Sequence, residues 1–376
     1  MTTARRRDHD QSMHLSPTLS WLVDTAGEAT SAEQWLAKLG THLMDEGVPL
    51  AGGALTLAVP HPLIARRTWL WRAEGGEVIE ALGFVAGGLA AALPANQMGD
   101  RRRRWLASLA GGIVLEDAVG PSPDGPSLAW VGPRPFTSEE TSRLRQAARF
   151  AAAPLAALTA RATLVATLDA YLGRRSAARV LAGPLRRNIG ETIQAALLFA
   201  DLRGFTALSE SNPSSAVISA LDAWFDRIAG SVHAFGGEVL KFIGDGVLAI
   251  FPVVGASARS ACDAALRAVA SARVGMARLD EARREQGLAP LSFGVALHQG
   301  EILWGNIGAA DRLDFTAIGP AVNLVSRLEG LCRTLDKPVL VSGAFAAETG
   351  APLIPLGTHA LRGIASPCAV FTVPET

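Results

Sequence analysis

Cysteine is scarce: the 376-residue chain has three, Cys262, Cys332 and Cys368, far apart and never in a Cys-x-x-Cys pair. That excludes a disulfide framework, a zinc ribbon or a dithiol redox centre, and it fits a reducing, cytoplasmic compartment. An excess of one charge is missing as well. Lys+Arg and Asp+Glu each total 35, so the formal net charge is zero and nucleic acid is not an expected partner. Long apolar runs are also lacking. The most apolar stretch, "ALGFVAGGLAAALPA" from Ala81, is shorter than the roughly 20 residues that cross a bilayer and is rich in Gly and Pro. The start, "MTTARRRDHDQSMH", is basic but has no apolar core behind it, so neither a signal peptide nor a membrane span is expected.

What is present is a globular composition, 49% hydrophobic and 19% charged, long enough for roughly two to three domains with real cores. A composition break at Gly183-Pro184 suggests division into an N-terminal region 1–136, a helical linker 137–183 and a C-terminal domain 184–376. In the first region "ALTLAVP" and "TWLWRAE" read as strands, and a helix follows a Ser31 cap. This small α/β domain resembles a GAF-type sensor, although no ligand signature is visible. The basic clusters "ARRRD" and "GDRRRRWLASL" (Arg101 to Arg104) read first as solvated helix starts and second as anion-binding surface. The linker opens with a capping box, Thr137 with Glu140, and Pro154 should kink or divide it. Dimer contact is its expected use.

Beyond Ile193 strands and helices alternate in the order strand-helix-strand-strand-helix-strand, the ferredoxin-like arrangement of an α+β domain. Two helices should cover one face of an antiparallel sheet and leave the other free for a site or a partner. "LSFGVALHQG" and "EILWGNIG" read as separate strands. The first strand ends on Asp201, and a hairpin turns at Gly244-Asp245-Gly246, so in this topology the two carboxylates converge. Two aspartates together suit a hard cation, Mg²⁺ or Mn²⁺. Either alone reads as a cap or turn residue. The Gly204-Phe205-Thr206 segment shifts the balance, because consecutive N–H groups at a helix start cradle phosphate oxygens.

"FADLRGFT", "GGEVLKFIGDGVLAIFP" and "DFTAIGPAVNLVSRLE", in this order, resemble the catalytic domain of class III nucleotidyl cyclases, the adenylate/guanylate cyclase family, over about half the chain. The resemblance implies that Asp201, Leu202 and Asp245 hold two metal ions and that Lys241 and Thr316 read the base. Thr316 stands where many members carry an aspartate, a departure shared by a bacterial subclass. Asn323 and Arg327 match the pair that orients the ribose and stabilises the α-phosphate, and Arg362 falls near a triphosphate contact. Gly204, Phe205 and Thr206 complete the substrate loop.

The side-chain chemistry agrees. Asn323 and Arg327 are four apart on a helix and share a face, and an arginine fork suits a developing pentavalent phosphate, although Arg327 also has Glu329 as a surface ion-pair partner. Lys241 donates a hydrogen bond, which adenine N1 accepts and guanine N1–H does not. Thr316 can accept from the adenine amino group. Cytosine presents the same edge, so only pocket size rejects CTP. The expectation is a cytoplasmic adenylate cyclase making cyclic AMP from ATP in a homodimer whose sites are shared between two catalytic domains. The alternatives are a cyclase for cyclic GMP or a cyclic pyrimidine nucleotide, and a catalytically silent cyclase-homology module.

Overall fold

The computed structural model describes residues 15–58, 64–84, 95–120, 125–183, 186, 189–253, 255 and 257–374. The "ARRRD" cluster, most of the Ala81 run and Pro184 lie outside them. The chain divides into two compact units, Met1–Thr167 and Leu168–Thr376.

The first unit contains α1 (Pro17–Asp24), α2 (Ala32–Asp45), β1 (Gly52–Ala58), β2 (Ile64–Arg72), β3 (Val78–Phe84), α3 (Ala95–Ala110), β4 (Leu115–Ala118), β5 (Ser127–Val131) and α4 (Ser138–Phe150). Its five strands form an antiparallel sheet in the order β3-β2-β1-β5-β4. Trp35, Leu36, Leu39 and Leu144 cover one face together with Trp71 and Trp130, while Leu106 of α3 covers Ala54 and Ala129 on the other. The Arg101–Arg104 cluster sits inside α3 rather than at its start. Arg102 is nearly buried and bonds Thr56, Ser127 and Glu116, and Arg103 shares that same carboxylate. Arg102 is therefore committed to its own domain.

The linker begins with the expected capping box at Thr137 and Glu140. It divides at Ala151, and α5 (Ala152–Leu172) starts with Pro154 in its first turn, where the missing N–H costs nothing. Among the described residues α5 is the one helix whose length and hydropathy, 1.3 over its best window, would suit a membrane span. It, and not the Ala81 run, is the stretch that meets that length, and it carries Arg161 and Asp169.

The second unit starts with α6 (Arg174–Ala182). It continues through β6 (Ile189–Leu202), α7 (Phe205–Ser211), α8 (Ser214–Ala234), β7 (Glu238–Ile243), β8 (Gly246–Pro252), α9 (Ala258–Glu285), β9 (Phe293–Gly308), β10 (Leu313–Ile318), α10 (Pro320–Glu329), α11 (Leu331–Thr334), β11 (Val339–Ser342), α12 (Gly343–Glu348), β12 (Ile354–His359) and β13 (Cys368–Thr372). The strand order is β12-β13-β11-β9-β6-β8-β7, with β10 paired to β9. The central β9-β6-β8-β7 block is the ferredoxin-like order. The expected pair of strands around Gly300 is instead one strand, β9. Gly300 is there for close approach: a Cβ on it would lie 2.9 Å from Ala321 Cβ, where α10 crosses.

The sheet is apolar on both faces because "AALLFA" in β6 buries alternate residues in opposite directions. Leu198 and Ala200 join Trp224, Ile228 and Ala265 of α8 and α9. Ala195 and Leu197 join Val325 and Leu328 of α10 on the other side. That second face is therefore not free, as the ferredoxin-like reading had it; α10 and the β9–β10 hairpin cover much of it. At the start of β7 the buried Glu238 accepts from the Ser176 backbone N–H (2.8 Å) and the Ser176 hydroxyl, tying α6 to the sheet.

Candidate active site

Asp201 closes β6 opposite Gly294 of β9, and Asp245 occupies the turn between β7 and β8, whose last pair is Ile243 with Gly246. The turn is tight because Gly244 has φ +65°, which a side chain would oppose. Two features hold it against β6. The buried Trp224 donates from Nε1 to the Asp245 carbonyl at 2.9 Å, and Gly246 leaves only 3.5 Å between its notional Cβ and Asp201 Oδ1. As the topology requires, the carboxylates meet.

Their meeting has an electrostatic signature. Burial, the hydrogen bond shared with Asp245, and the negative charges of Asp245 and Glu329 push the Asp201 carboxyl up to about 7, against an ordinary 3.8. Glu329 comes from α10 and fills the space left by Gly294, since a Cβ there would collide with its Oε1. Burial raises Glu329 as well, partly offset by Arg203 and Arg333. Two hard-oxygen side chains this close share a proton or a cation, so the donors fit Mg²⁺ or Mn²⁺. Among the described residues no group of three or more His, Cys, Asp or Glu has a metal-site arrangement.

Leu202 follows, buried, and its N–H bonds the Asp201 carboxylate. Arg203 then anchors the strand end, bonding the carbonyls of Cys332 (3.2 Å) and Lys337 (2.9 Å). Gly204 takes φ +75° and starts the short α7, so the N–H groups of Phe205 and Thr206 lack intrahelical acceptors beside the carboxylates.

Lys241 stands four residues before Asp245 but serves a different cluster. A bulge between Val239 and Lys241 re-aims it, and its ammonium pairs with Asp314 of β10. Asp314 and Thr316 share a strand face, and the intervening Phe315 points away to stack edge-on against Trp304 at 5.7 Å. Ile243 and Ile318, two residues on from Lys241 and Thr316 along their strands, are exposed, and Phe242, on the opposite face against Phe225 of α8 at 4.3 Å, is half exposed.

Asn323 and Arg327 are both exposed on α10, on one face as expected. The alternative ion pair with Glu329 does not form. Glu329 lies about 200° around the helix from Arg327, on the buried side that meets Asp201 and Asp245. One chain thus brings together the carboxylates, and separately Lys241 with Asp314, whose strand face Thr316 shares, while Asn323 and Arg327 lie on the exposed side of α10, away from the Glu329 side. Arg362 is exposed in the turn between β12 and β13. Sequence reasoning missed Asp314 and the inward role of Glu329. For Asp314 a signal existed, its i−2 spacing from Thr316 in a strand; for Glu329 nothing local separates it from a surface acid. His298, the buried histidine of β9, bonds Ser342 Oγ at 2.7 Å and is held neutral by burial, with its pKa lowered to about 4.

Residues 189–344 match the family model for the adenylate and guanylate cyclase catalytic domain. Adenylate cyclase 1 of Rhizobium meliloti is 32% identical over 178 residues, 47% of this chain and 27% of that protein. Adenylate cyclase 2 of the same organism is 31% identical over 207 residues, 54% of this chain and 55% of that protein. The chain thus spans about a quarter of the first relative's length and just over half of the second's. Among solved structures, a bacterial light-regulated adenylyl cyclase covers 74% of this chain and 90% of its own at 20% identity and a TM-score of 0.50, a likeness of fold.

Proposed function

From the premise that residues 189–344 are a catalytic domain of the adenylate and guanylate cyclase family, we propose that this protein is an adenylate cyclase that closes ATP to 3′,5′-cyclic AMP with release of pyrophosphate. The observation that carries the reading is the Asp201–Asp245 pair, half-buried, hydrogen-bonded to each other and set beside a glycine turn. The relatives bearing the name adenylate cyclase support it.

Asp201 and Asp245, with the Leu202 carbonyl, would hold Mg²⁺ or Mn²⁺, two per site. Such ions ease loss of the ribose 3′-hydroxyl proton and offset the charge of the departing pyrophosphate. The chain's own groups do the rest. The N–H groups following Gly204 hold phosphate oxygens, and Arg362 meets the triphosphate tail. Lys241 donates to adenine N1 while Thr316 accepts from the amino group. Asn323 orients the ribose so that the 3′-oxygen faces the α-phosphorus, and Arg327 donates to the phosphoryl oxygens as the new O–P bond forms and the bond to the β-phosphate breaks.

Because Asn323 and Arg327 turn away from the carboxylates of their own chain, the reading requires two copies. One copy supplies the aspartates; the other supplies Lys241, Thr316, Asn323 and Arg327. The exposed Ile243 and Ile318 suit the buried centre of such a contact. The first unit is read as a regulatory domain, GAF-like in its mixture of helices and antiparallel strands, and the enzyme as cytoplasmic, where ATP is available and the free thiols of Cys262, Cys332 and Cys368 stay reduced. The test is to incubate the purified chain with Mn²⁺ and ATP, GTP, CTP or UTP in turn and identify products by mass. Cyclic AMP as the main product is expected; a cyclic product from another nucleotide alone, or none from any, overturns the reading.

A further inference from the structure

We infer that Arg203 is a positioning residue for the groups on either side of it: its side chain fixes the end of β6 so that the Leu202 carbonyl and the N–H groups after Gly204 keep their places. The inference rests on the metal-binding role proposed above for Asp201 and Leu202.

Three observations carry it. First, β6 runs out of support at this point. Its ladder with β9 ends at the pair Leu202↔Phe293, and the Arg203 backbone adds one further bond, from its N–H to the Ser292 carbonyl at 2.8 Å. Gly204 then turns at φ +75°, and the seven residues of α7 include none that is fully buried. Second, the Arg203 side chain supplies a tether from another direction. Its Nη2 donates to the carbonyls of Cys332 at 3.2 Å and Lys337 at 2.9 Å, and the two hydrogens on that nitrogen serve one carbonyl each. The receiving turn is itself firm: the Lys337 N–H bonds the Cys332 carbonyl at 3.0 Å, and the buried β11 follows at once, paired to β9. The Asp336 carboxylate stands 3.9 Å from Nη1 and is 98% exposed, so it adds little. Third, the guanidinium sits there against its own interest. Its Nε–H is buried and has no acceptor among the protein groups, an arrangement that opposes folding and that the chain keeps in order to reach both carbonyls.

The charge of Arg203 would act on a cation in the opposite sense. Burial raises the Glu329 carboxyl, and Arg203 is the first of the charges that oppose this, so the guanidinium lies near enough to be felt beside Asp201 and Asp245. By Coulomb's law its removal alone would tighten Mn²⁺ binding. Loss of the tether would weaken it. The sign of the change therefore separates the two effects.

The test is Mn²⁺ binding to the full-length chain by titration calorimetry, with Asp201→Ala defining the site by loss of its heat. Arg203→Ala should raise the Mn²⁺ dissociation constant about tenfold, the low end of what removing an outer partner of a metal ligand costs. Arg203→Lys, which keeps the charge and three donors, should recover part of that loss, and Asp336→Ala should bind as the wild type does. In the cyclase assay Arg203→Ala should raise the Mn²⁺ concentration for half-maximal rate by a similar factor, while kcat at saturating Mn²⁺ falls by less. Binding that is unchanged or tighter in Arg203→Ala, or no better in Arg203→Lys than in Arg203→Ala, overturns the inference alone. Wild-type binding in Asp201→Ala overturns the metal assignment itself, and the inference with it. If Arg203→Ala does not fold by circular dichroism, Arg203→Met, which keeps an unbranched stem without donors, carries the same test with the same outcomes.

Discussion

Asp201 has its pKa raised to about 7 in the fold, against 3.8 ordinarily. Between those values the native state keeps a proton that the unfolded chain has released, so the metal-free fold loses stability as pH rises from about 4 to 7. Thermal melts in chelator should show that decline, and Asp201→Asn should remove it. Mn²⁺ displaces the same proton, so its stabilising effect should grow over the same window. A flat profile in the wild type would mean that the carboxylates are not coupled. Trp224→Phe should cost about 1 kcal/mol for the indole hydrogen bond and raise the Mn²⁺ concentration needed for half-maximal activity, because the Asp245 turn loses its tether. The residues of this site were legible because their types are chemically unusual where they stand: an aspartate ending an apolar strand, another between two glycines. Glu329 was not legible. Its inward direction depends on Gly294, thirty-five residues earlier in sequence, which leaves the space that its carboxylate fills.

Among the elements, α10 carries two functions on two faces. Val325 and Leu328 hold it to the sheet while Asn323 and Arg327 face out. Gly300 sets how close it lies. In Gly300→Ala the new methyl would press on Ala321 Cβ and on His298 Nε2, at 2.9 and 3.0 Å, and neither can withdraw without moving the helix or the buried imidazole. A loss of about 1–3 kcal/mol in unfolding free energy is expected, with a fall in kcat as the Arg327 face shifts. The sequence reading took this glycine as the gap between two strands, since a glycine in a strand marks a break or a close approach with the same letter. The same limit hid the cover on the second sheet face. Alternating burial in β6 looks like a plain apolar run when both faces are covered. The capping box at Thr137 and the Gly244-Asp245 hairpin were readable because their signals are local, while the order of the five strands in the first unit depends on long-range pairing.

At the scale of the whole molecule, the proposed two-copy site makes a quantitative claim. Asp201→Ala and Arg327→Ala homodimers should both be nearly inactive, since every site in each has one lesion. A mixed dimer gathers both lesions in one site and leaves the other intact. With random exchange about half of the dimers are mixed, so activity should return to roughly one quarter of wild type. Co-expression with two different tags and cyclic AMP measurement on the unfractionated mixture checks this, and the doubly purified dimer, all of it mixed, should reach about half of wild type. No recovery in confirmed heterodimers would mean that each site is built within one chain.

The bond from Ser176 to Glu238 sets where the second unit can be cut. A fragment beginning at Ile189, where the family match starts, would strip α6 away and leave the buried Glu238 Oε1 without the two donors that now meet it. A buried acceptor left without partners costs about 1–3 kcal/mol, and more if charged. The shorter piece, 189–376, should therefore melt well below 168–376, and Glu238→Gln, which removes the charge, should narrow the gap. The nine residues of α6 thus act as a plug for the sheet that follows, and the stable minimum of this unit begins before the family match does.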